Sequence, residues 1–196
     1  MQGLADGYFI VPHTVGNYLA STKIDAIDVT HPAFKEAEKN ITDFNNKLFS
    51  INGQRTVDDI HKELGKIMWD NVGMARNKEN LKQAINEIKN LKQEFWSNVK
   101  VPDANNEYNS ELEKAGRLID FIELGELMAR DALNREESCG GHFREEYQTE
   151  ENEAKRNDDS FTFVSAWEYK DGDTEPKLHK EELEFENVKL TTRSYK

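Results

Sequence analysis

Apolar residues recur at spacings of three and four through most of residues 30–134, and this period constrains the fold more than any other feature. Such spacing places the apolar side chains on one face of an α-helix. The first stripe comprises Phe34, Ala37, Ile41, Phe44, Leu48 and Ile51. Two further stripes run from Val57 to Val72 and from Leu81 to Phe95. The pattern therefore predicts long amphipathic helices that pack side by side.

Short breaks separate these stripes, and each break carries helix-ending or helix-starting residues. Asn52 and Gly53 end the first stripe, and Thr56 is a predicted N-cap for the next helix. Ser110, with Glu113 three positions later, forms a predicted capping box for a fourth helix. Apolar residues of that fourth helix cover more than one face, so we predict that it is the most buried.

The predicted fold is mainly α, an up-and-down bundle of three to four long helices resembling a spectrin repeat, with a small C-terminal β appendage. Residues 161–169 have the β-branched and aromatic content of a strand, and residues 183–188 alternate as an edge strand would. We predict four segments. They are an N-terminal segment (1–29), the helical bundle (30–134), a polar junction loop (135–160) and a β-containing tail (161–196).

Composition excludes several classes of function. A net charge of -12 argues against binding to nucleic acid or to an anionic membrane surface, because both need clustered lysine and arginine. One cysteine cannot form an intrachain disulfide, and no apolar run approaches the roughly 20 residues of a membrane-spanning helix. We therefore predict a soluble cytoplasmic protein without direct membrane insertion.

Residues 134–144 concentrate the side chains that could carry chemistry. Cys139 and His142 suggest a metal site or a cysteine nucleophile with a histidine base, but the sequence offers neither a second cysteine nor an orienting third group. We favour structural clamping, in which Gly140 and Gly141 allow close backbone approach and charged neighbours form ion pairs. The predicted interdomain docking residues are Arg135, Glu137, Ser138, Cys139, Gly140, Gly141, His142 and Arg144.

The N-terminal segment is apolar and glycine-rich from its first residues. Side chains such as Tyr8, Phe9, Val15 and Tyr18 would leave a sizeable apolar surface if this segment stood alone. Surfaces of this kind usually meet a partner or another domain. We therefore expect residues 1–29 to be the remnant of a link to a further domain of a longer chain.

Three stretches together resemble the C-terminal region of the flavoprotein subunit of succinate dehydrogenase and fumarate reductase. They are Met-Gln-Gly-Leu-Ala-Asp-Gly-Tyr-Phe-Ile-Val-Pro (1–12), Asn-Arg-Glu-Glu-Ser-Cys-Gly-Gly-His-Phe-Arg-Glu-Glu (134–146) and Lys-Leu-Thr-Thr-Arg-Ser-Tyr-Lys (189–196). In the wider family, which includes L-aspartate oxidase, the junction reads Glu-Ser-Arg-Gly, then a small residue or leucine, then His. Cys139 occupies the position of that arginine, as in the longer Bacteroides and Bacillus type, so Arg135 or Arg144 would have to replace it.

The resemblance implies a chain severed from its active site. In this family the flavin-binding and capping domains, which precede this region, hold FAD and the dicarboxylate. The full-length parent would interconvert succinate and fumarate and pass electrons to an iron–sulfur subunit and a membrane-anchor cytochrome b subunit. It would lie on the cytoplasmic face of the inner membrane through these partners. We expect no catalytic, flavin-binding or metal-binding residue in this chain, and no activity of the isolated chain.

Two other interpretations stay open at this point. The chain could be a freestanding acidic helical bundle that binds another protein, in which case it would have its own start codon. It could also be the C-terminal domain of an enzyme similar to L-aspartate oxidase, although the long acidic junction and the β-containing tail disfavour that parent.

Overall fold

The computed structural model describes residues 2–102, 108–170 and 175–191. The chain divides into two compact units, Met1–Phe44 and Asn45–Lys196. The composition of residues 102–106 predicts a loop, and that of residues 170–173 predicts a turn. Most of both stretches lies outside the described residues, as does most of the C-terminal motif at residues 189–196. In the part of the chain that is described, no helix is long and apolar enough to cross a membrane.

The first unit is helical. Helices α1 (Gln2–Ala5) and α2 (Val11–Ser21) are joined by a π-helical segment, Asp6–Ile10. Helix α2 has no buried residue, and its apolar side chains are at least half exposed at Val11, Val15, Tyr18 and Leu19. The apolar side chains of this segment are therefore exposed, as expected for a segment that stands alone.

Helix α3 (Pro32–Ile51) ends just before Asn52 and Gly53, as predicted, but its apolar stripe is not a continuous packing seam. Leu48 is fully buried, whereas Ile41 is 62% exposed and Phe34 is also exposed. The prediction of a packed seam along the whole helix is wrong. Periodicity identifies which face of a helix is apolar, and contacts with other elements determine whether that face is covered.

Helices α4 (Val57–Val72), α5 (Lys78–Asn98) and α6 (Ser110–Asn134) form the bundle, which confirms the predicted mainly α fold. Their buried side chains include Ile60, Leu64, Leu81, Ile88, Phe95, Leu118 and Ile122. A Cβ atom placed on Gly125 of α6 would lie 3.2 Å from Met68 Sδ of α4. Glycine at this position therefore permits close contact between the two helices.

The ends of the helices are capped by side chains. Thr56 Oγ1 accepts a hydrogen bond from Asp59 N (3.1 Å), as predicted. Asn109, rather than the predicted Ser110, caps α6, because its Oδ1 accepts from the N–H groups of Glu111 and Leu112 (3.1 Å each). Strand β1 (Arg55–Thr56) pairs in parallel with β2 (Val99–Lys100) and ties the start of α4 to the end of α5.

Helix α6 has seven buried residues, against six in α5 and five in α4, as expected of the most buried helix, but only one of its apolar faces is covered. One face, with Ala115, Leu118, Ile122 and Ala129, lies in the core. Phe121, Leu124 and Met128 form a second apolar stripe that is about half exposed. The extra apolar residues of α6 therefore add to the exposed apolar surface of the bundle and not to its core.

The β appendage is an antiparallel pair of β3 (Phe163–Glu168) and β4 (Lys177–Glu182). The predicted edge strand at residues 183–188 is wrong, since β4 ends at Glu182 and Leu183 is exposed. The strand that pairs with β3 is instead β4, a mostly charged segment. It is held by backbone hydrogen bonds, so an alternation of apolar and polar side chains does not identify it. Trp167 Nε1 donates to Asp131 Oδ1 (2.8 Å) and anchors β3 to α6.

Candidate functional site

Arg144 lies at the C-terminal end of α6, where the helix leaves backbone carbonyls without intrahelical partners. Its side chain is 1% exposed. Nη1 donates to the carbonyl oxygens of Ala132 (2.9 Å) and Leu133 (3.3 Å), and Nε donates to Glu146 Oε2 (3.1 Å). The guanidinium therefore caps the helix with a positive charge at the negative end of the helix dipole.

Glu146 connects this cap to a second helix end. Its Oε1 accepts a hydrogen bond from the backbone N–H of Lys78 at the start of α5, where a negative charge is favoured. Burial acts to raise the pKa of Glu146, but hydrogen bonds from Arg144 and Lys78 outweigh it and hold the pKa below its ordinary value. The Arg144–Glu146 pair thus links the end of α6 to the beginning of α5.

Ser138 and Glu137 fix the buried part of the junction. Arg144 N donates to Ser138 Oγ (2.8 Å), and that hydroxyl donates to Arg144 O (3.1 Å). Glu137 accepts from Arg135 Nη1 (2.9 Å) and from Asn157 N (2.8 Å) through its two carboxylate oxygens. Both side chains are buried, so their polar groups are satisfied inside the chain.

Arg135 joins the junction to the β appendage. Its Nη2 donates to Phe163 O (3.1 Å) and Phe161 O (3.3 Å), and its guanidinium lies 5.4 Å from the centre of the Phe163 ring. Arg135 and Glu137 also form an ion pair at 2.9 Å. Arg135 therefore positions the start of β3 against the end of α6.

His142 bonds to Arg76, a residue that the sequence did not single out. Arg76 Nη1 lies 2.9 Å from His142 Nδ1, and His142 Nε2 lies 2.9 Å from Arg135 O. Burial lowers the pKa of His142, and the positive charges of Arg76, Arg144 and Arg135 lower it further against the opposing hydrogen bond to Arg135 O. Burial and the neighbouring positive charges therefore favour the neutral form of the imidazole.

Backbone hydrogen bonds reinforce this contact. Arg76 N donates to Phe143 O (3.0 Å), and Glu145 N donates to Arg76 O (2.8 Å). The only sequence feature that pointed to Arg76 as a contact of the junction was its position in the break between two predicted helices. The partner could not be identified, because 66 positions separate Arg76 from His142.

The junction turn, residues 139–142, is a two-residue hairpin turn. Cys139 N donates to His142 O (2.8 Å), His142 N donates to Cys139 O (3.0 Å), and Gly140 has a φ of 59°. That backbone conformation favours glycine. Cβ atoms placed on Gly140 or Gly141 would meet nothing within 4 Å, so the double glycine faces open space rather than another part of the described chain.

The geometry disfavours chemistry at Cys139. Both nitrogens of His142 are already engaged, by Arg76 and by Arg135 O, so the imidazole is not placed to accept the thiol proton. No group of three or more potential metal ligands occurs among the residues that the structure describes. The junction instead holds together the end of α6, the start of α5, Arg76 in the loop between α4 and α5, and the start of β3.

The family model described as fumarate reductase flavoprotein C-term matches residues 61–195. The fumarate reductase flavoprotein subunit of Escherichia coli is 30% identical over 134 residues, which cover 68% of this chain and 20% of that protein. The fumarate reductase flavoprotein subunit of Helicobacter pylori is 26% identical over 180 residues, which cover 90% of this chain and 24% of that protein.

The fold has a counterpart of known structure. A chain of the quinol fumarate reductase of E. coli matches with a TM-score of 0.71 at 21% identity, over 86% of this chain and 27% of that chain. The chain thus spans only 20–27% of the length of these relatives. Because the family model covers more than half of the sequence, the chain belongs to the family of C-terminal domains of fumarate reductase and succinate dehydrogenase flavoproteins.

Proposed function

We propose that this chain is the helical C-terminal part of a longer flavoprotein that interconverts succinate and fumarate with FAD. The family match over residues 61–195 is the observation that carries the proposal. The parent would pass electrons to an iron–sulfur subunit and be held at the cytoplasmic face of the inner membrane by a membrane-anchor cytochrome b subunit. The role of this segment would be to brace the flavin-binding and capping domains.

We propose that FAD is held by the preceding domains of the longer flavoprotein and not by this segment. A dinucleotide site of the common kind needs a glycine-bearing loop that cradles the phosphates, and the sequence has no such spacing. In keeping with this, every buried side-chain nitrogen or oxygen in the described part of the chain has a hydrogen-bond partner. We assign no flavin-binding or catalytic residue here.

The junction turn is the surface that we propose for docking to another domain. Arg135, Glu137, Ser138 and Arg144 are engaged inside the chain, so they would hold the turn in place rather than contact the neighbour. The exposed backbone at Gly140 and Gly141 would make the contact itself, since a side chain there would keep an approaching domain at a distance.

The N-terminal unit supports the same proposal. Helix α2 exposes four large apolar side chains and buries none. Such a surface is unusual for a helix that no other domain or partner covers. In the longer flavoprotein, residues 1–29 would lead from the flavin-binding domain, and that domain would cover the apolar face of α2.

Gly141→Val in the longer flavoprotein tests the docking role. We expect flavin content or subunit assembly to fall severalfold, while the isolated chain keeps its helicity and unfolding midpoint because the new Cβ atom would meet no atom of the described chain within 4 Å. Gly65→Val is the matched control, since Gly65 is also exposed and also faces open space.

Two results would contradict the proposal. Normal flavin content and assembly of the Gly141→Val flavoprotein would remove the docking role. Flavin absorbance that co-purifies with the isolated chain, or fumarate reduction by it, would show that the segment carries a redox site of its own.

A further inference from the structure

His142 forms a contact that depends on its protonation state. We propose that acidification releases the junction turn from the side chain of Arg76, while Arg144 and the backbone hydrogen bonds of Arg76 with Phe143 and Glu145 keep the rest of the junction on the helix ends. This conformational device lies within the chain itself and does not depend on the identity of the parent enzyme.

The two hydrogen bonds of the His142 ring have fixed directions. A guanidinium can only donate, so His142 Nδ1 must accept from Arg76 Nη1 across 2.9 Å. The carbonyl of Arg135 can only accept, so His142 Nε2 must carry the proton that reaches it across 2.9 Å. Only the neutral imidazole with its proton on Nε2 satisfies both partners. Protonation of Nδ1 would make the imidazole positively charged and would turn the N–H group of Nδ1 towards the N–H group of Arg76 Nη1. Two donors and two positive charges would then face each other.

The charges that surround the imidazole are mainly positive. Arg76 faces it from the loop between α4 and α5, and Arg135 and Arg144 face it from the junction. The carboxylates of Glu137 and Glu146 are hydrogen-bonded to Arg135 and Arg144, and Asp131 of α6 acts on Arg76. A charged imidazole would therefore be repelled by its nearest neighbours.

Arg76 depends on His142 for its side-chain link to the junction. The other acceptors of the Arg76 side chain are the carbonyl oxygens of Val72 and Gly73 at the end of its own helix, at 3.1 and 3.0 Å. His142 is thus the side chain through which this guanidinium reaches the junction. By contrast, Arg144 holds Ala132 O, Leu133 O and Glu146 without any contribution from His142.

The sign of the pH dependence follows from these contacts. The pKa of His142 is lower in the folded chain than its ordinary value of 6.5, so the unfolded or released turn binds the proton more readily. The stability of the contact is fully present above pH 6.5 and is lost as the pH falls through the folded pKa. Release is therefore expected on the acidic side of neutrality.

Amide hydrogen exchange at single-residue resolution tests the proposal in the full chain. Between about pH 7.5 and about pH 5, and after correction for intrinsic exchange, we expect protection of the Cys139 and His142 amides to fall about tenfold. The Arg144 amide, held by the buried Ser138 hydroxyl, is expected to keep its protection.

His142→Gln separates protonation from other effects of acid. A glutamine can accept and donate in the same two directions but does not titrate, so the fall in protection is expected to disappear. His61→Gln, which replaces an exposed histidine on α4, should behave as wild type. The ring ¹⁵N shifts of His142 in the wild-type chain give a second measurement, which needs no variant.

Three outcomes would overturn the proposal. They are protection of the turn that does not change with pH, an equal fall in the His142→Gln chain, and ring ¹⁵N shifts that place the proton on Nδ1 at neutral pH.

Discussion

At the scale of single residues, the junction depends on a buried arginine that caps a helix. A buried charge is costly unless hydrogen bonds and a counter-charge compensate it, and Arg144 has two helix carbonyls, Glu146 and a Tyr147 ring at 5.4 Å. The planar fork of the guanidinium reaches these groups simultaneously, which a single ammonium group cannot do.

Arg144→Lys is therefore expected to lower the free energy of unfolding by about 3 kcal/mol, because the charge stays buried while acceptors lose their donors. Urea unfolding of the chain followed by circular dichroism measures the loss. Arg117→Lys is the control: Arg117 pairs with Glu113 on the surface of α6 and is 67% exposed, so its change should stay within about 0.5 kcal/mol. Equal losses in the two variants would contradict the capping role.

The sequence predicted that charged residues of the junction, His142 among them, form ion pairs, but it did not predict which residues pair. Arg135 pairs with Glu137, only two positions away, within the junction itself. His142 was expected to join an ion pair but instead bonds in its neutral form to Arg76 and a carbonyl. Protonation state depends on burial and on distant charges, and neither is visible in local sequence.

At the scale of secondary-structure elements, helix periods and breaks predicted where α3, α4, α5 and α6 lie. They did not predict which apolar faces are covered. The exposed stripes on α3 and α6 have the same spacing as the buried ones, because spacing reflects helix geometry alone. The connection between α3 and α4 also depends on a contact that is distant in sequence. Gly53 N donates to Val99 O of β2 at 3.0 Å.

Two glycine substitutions distinguish tertiary from local effects. A Cβ atom on Gly53 would lie 1.9 Å from Asn98 O, so Gly53→Ala is expected to cost about 2 kcal/mol of unfolding free energy. Gly65 lies within α4 and faces open space, so Gly65→Ala is expected to stabilise the chain by about 1 kcal/mol. Chemical unfolding of both variants checks the pair, and a stabilising Gly53→Ala would refute the close approach.

At the scale of the whole molecule, the buried residues of the described chain are concentrated in a few helices. Helices α4, α5 and α6 supply most of the core, whereas α2 has no buried residue. A helix of this length is marginal in water without tertiary packing. Stability is therefore expected to differ strongly between the two units.

Hydrogen exchange of the isolated chain should reveal this difference. We expect amides of α2 to exchange with little protection, while those of residues 81–91, which include the buried Leu81, Ile88 and Leu91, exchange only through global unfolding. Comparable protection in the two helices would contradict the expectation. In the longer flavoprotein, docking would protect α2, as proposed above.

The helical period, the main helix breaks, the strand at residues 163–168 and the family could all be inferred from the amino-acid sequence, because each is encoded in local spacing or in short motifs. The folded chain alone reveals that Arg76 meets His142, that Glu146 joins two helix ends and that β4 precedes the expected strand. These contacts join residues far apart in the chain, and their hydrogen bonds exist only once packed helices bring the donors and acceptors together.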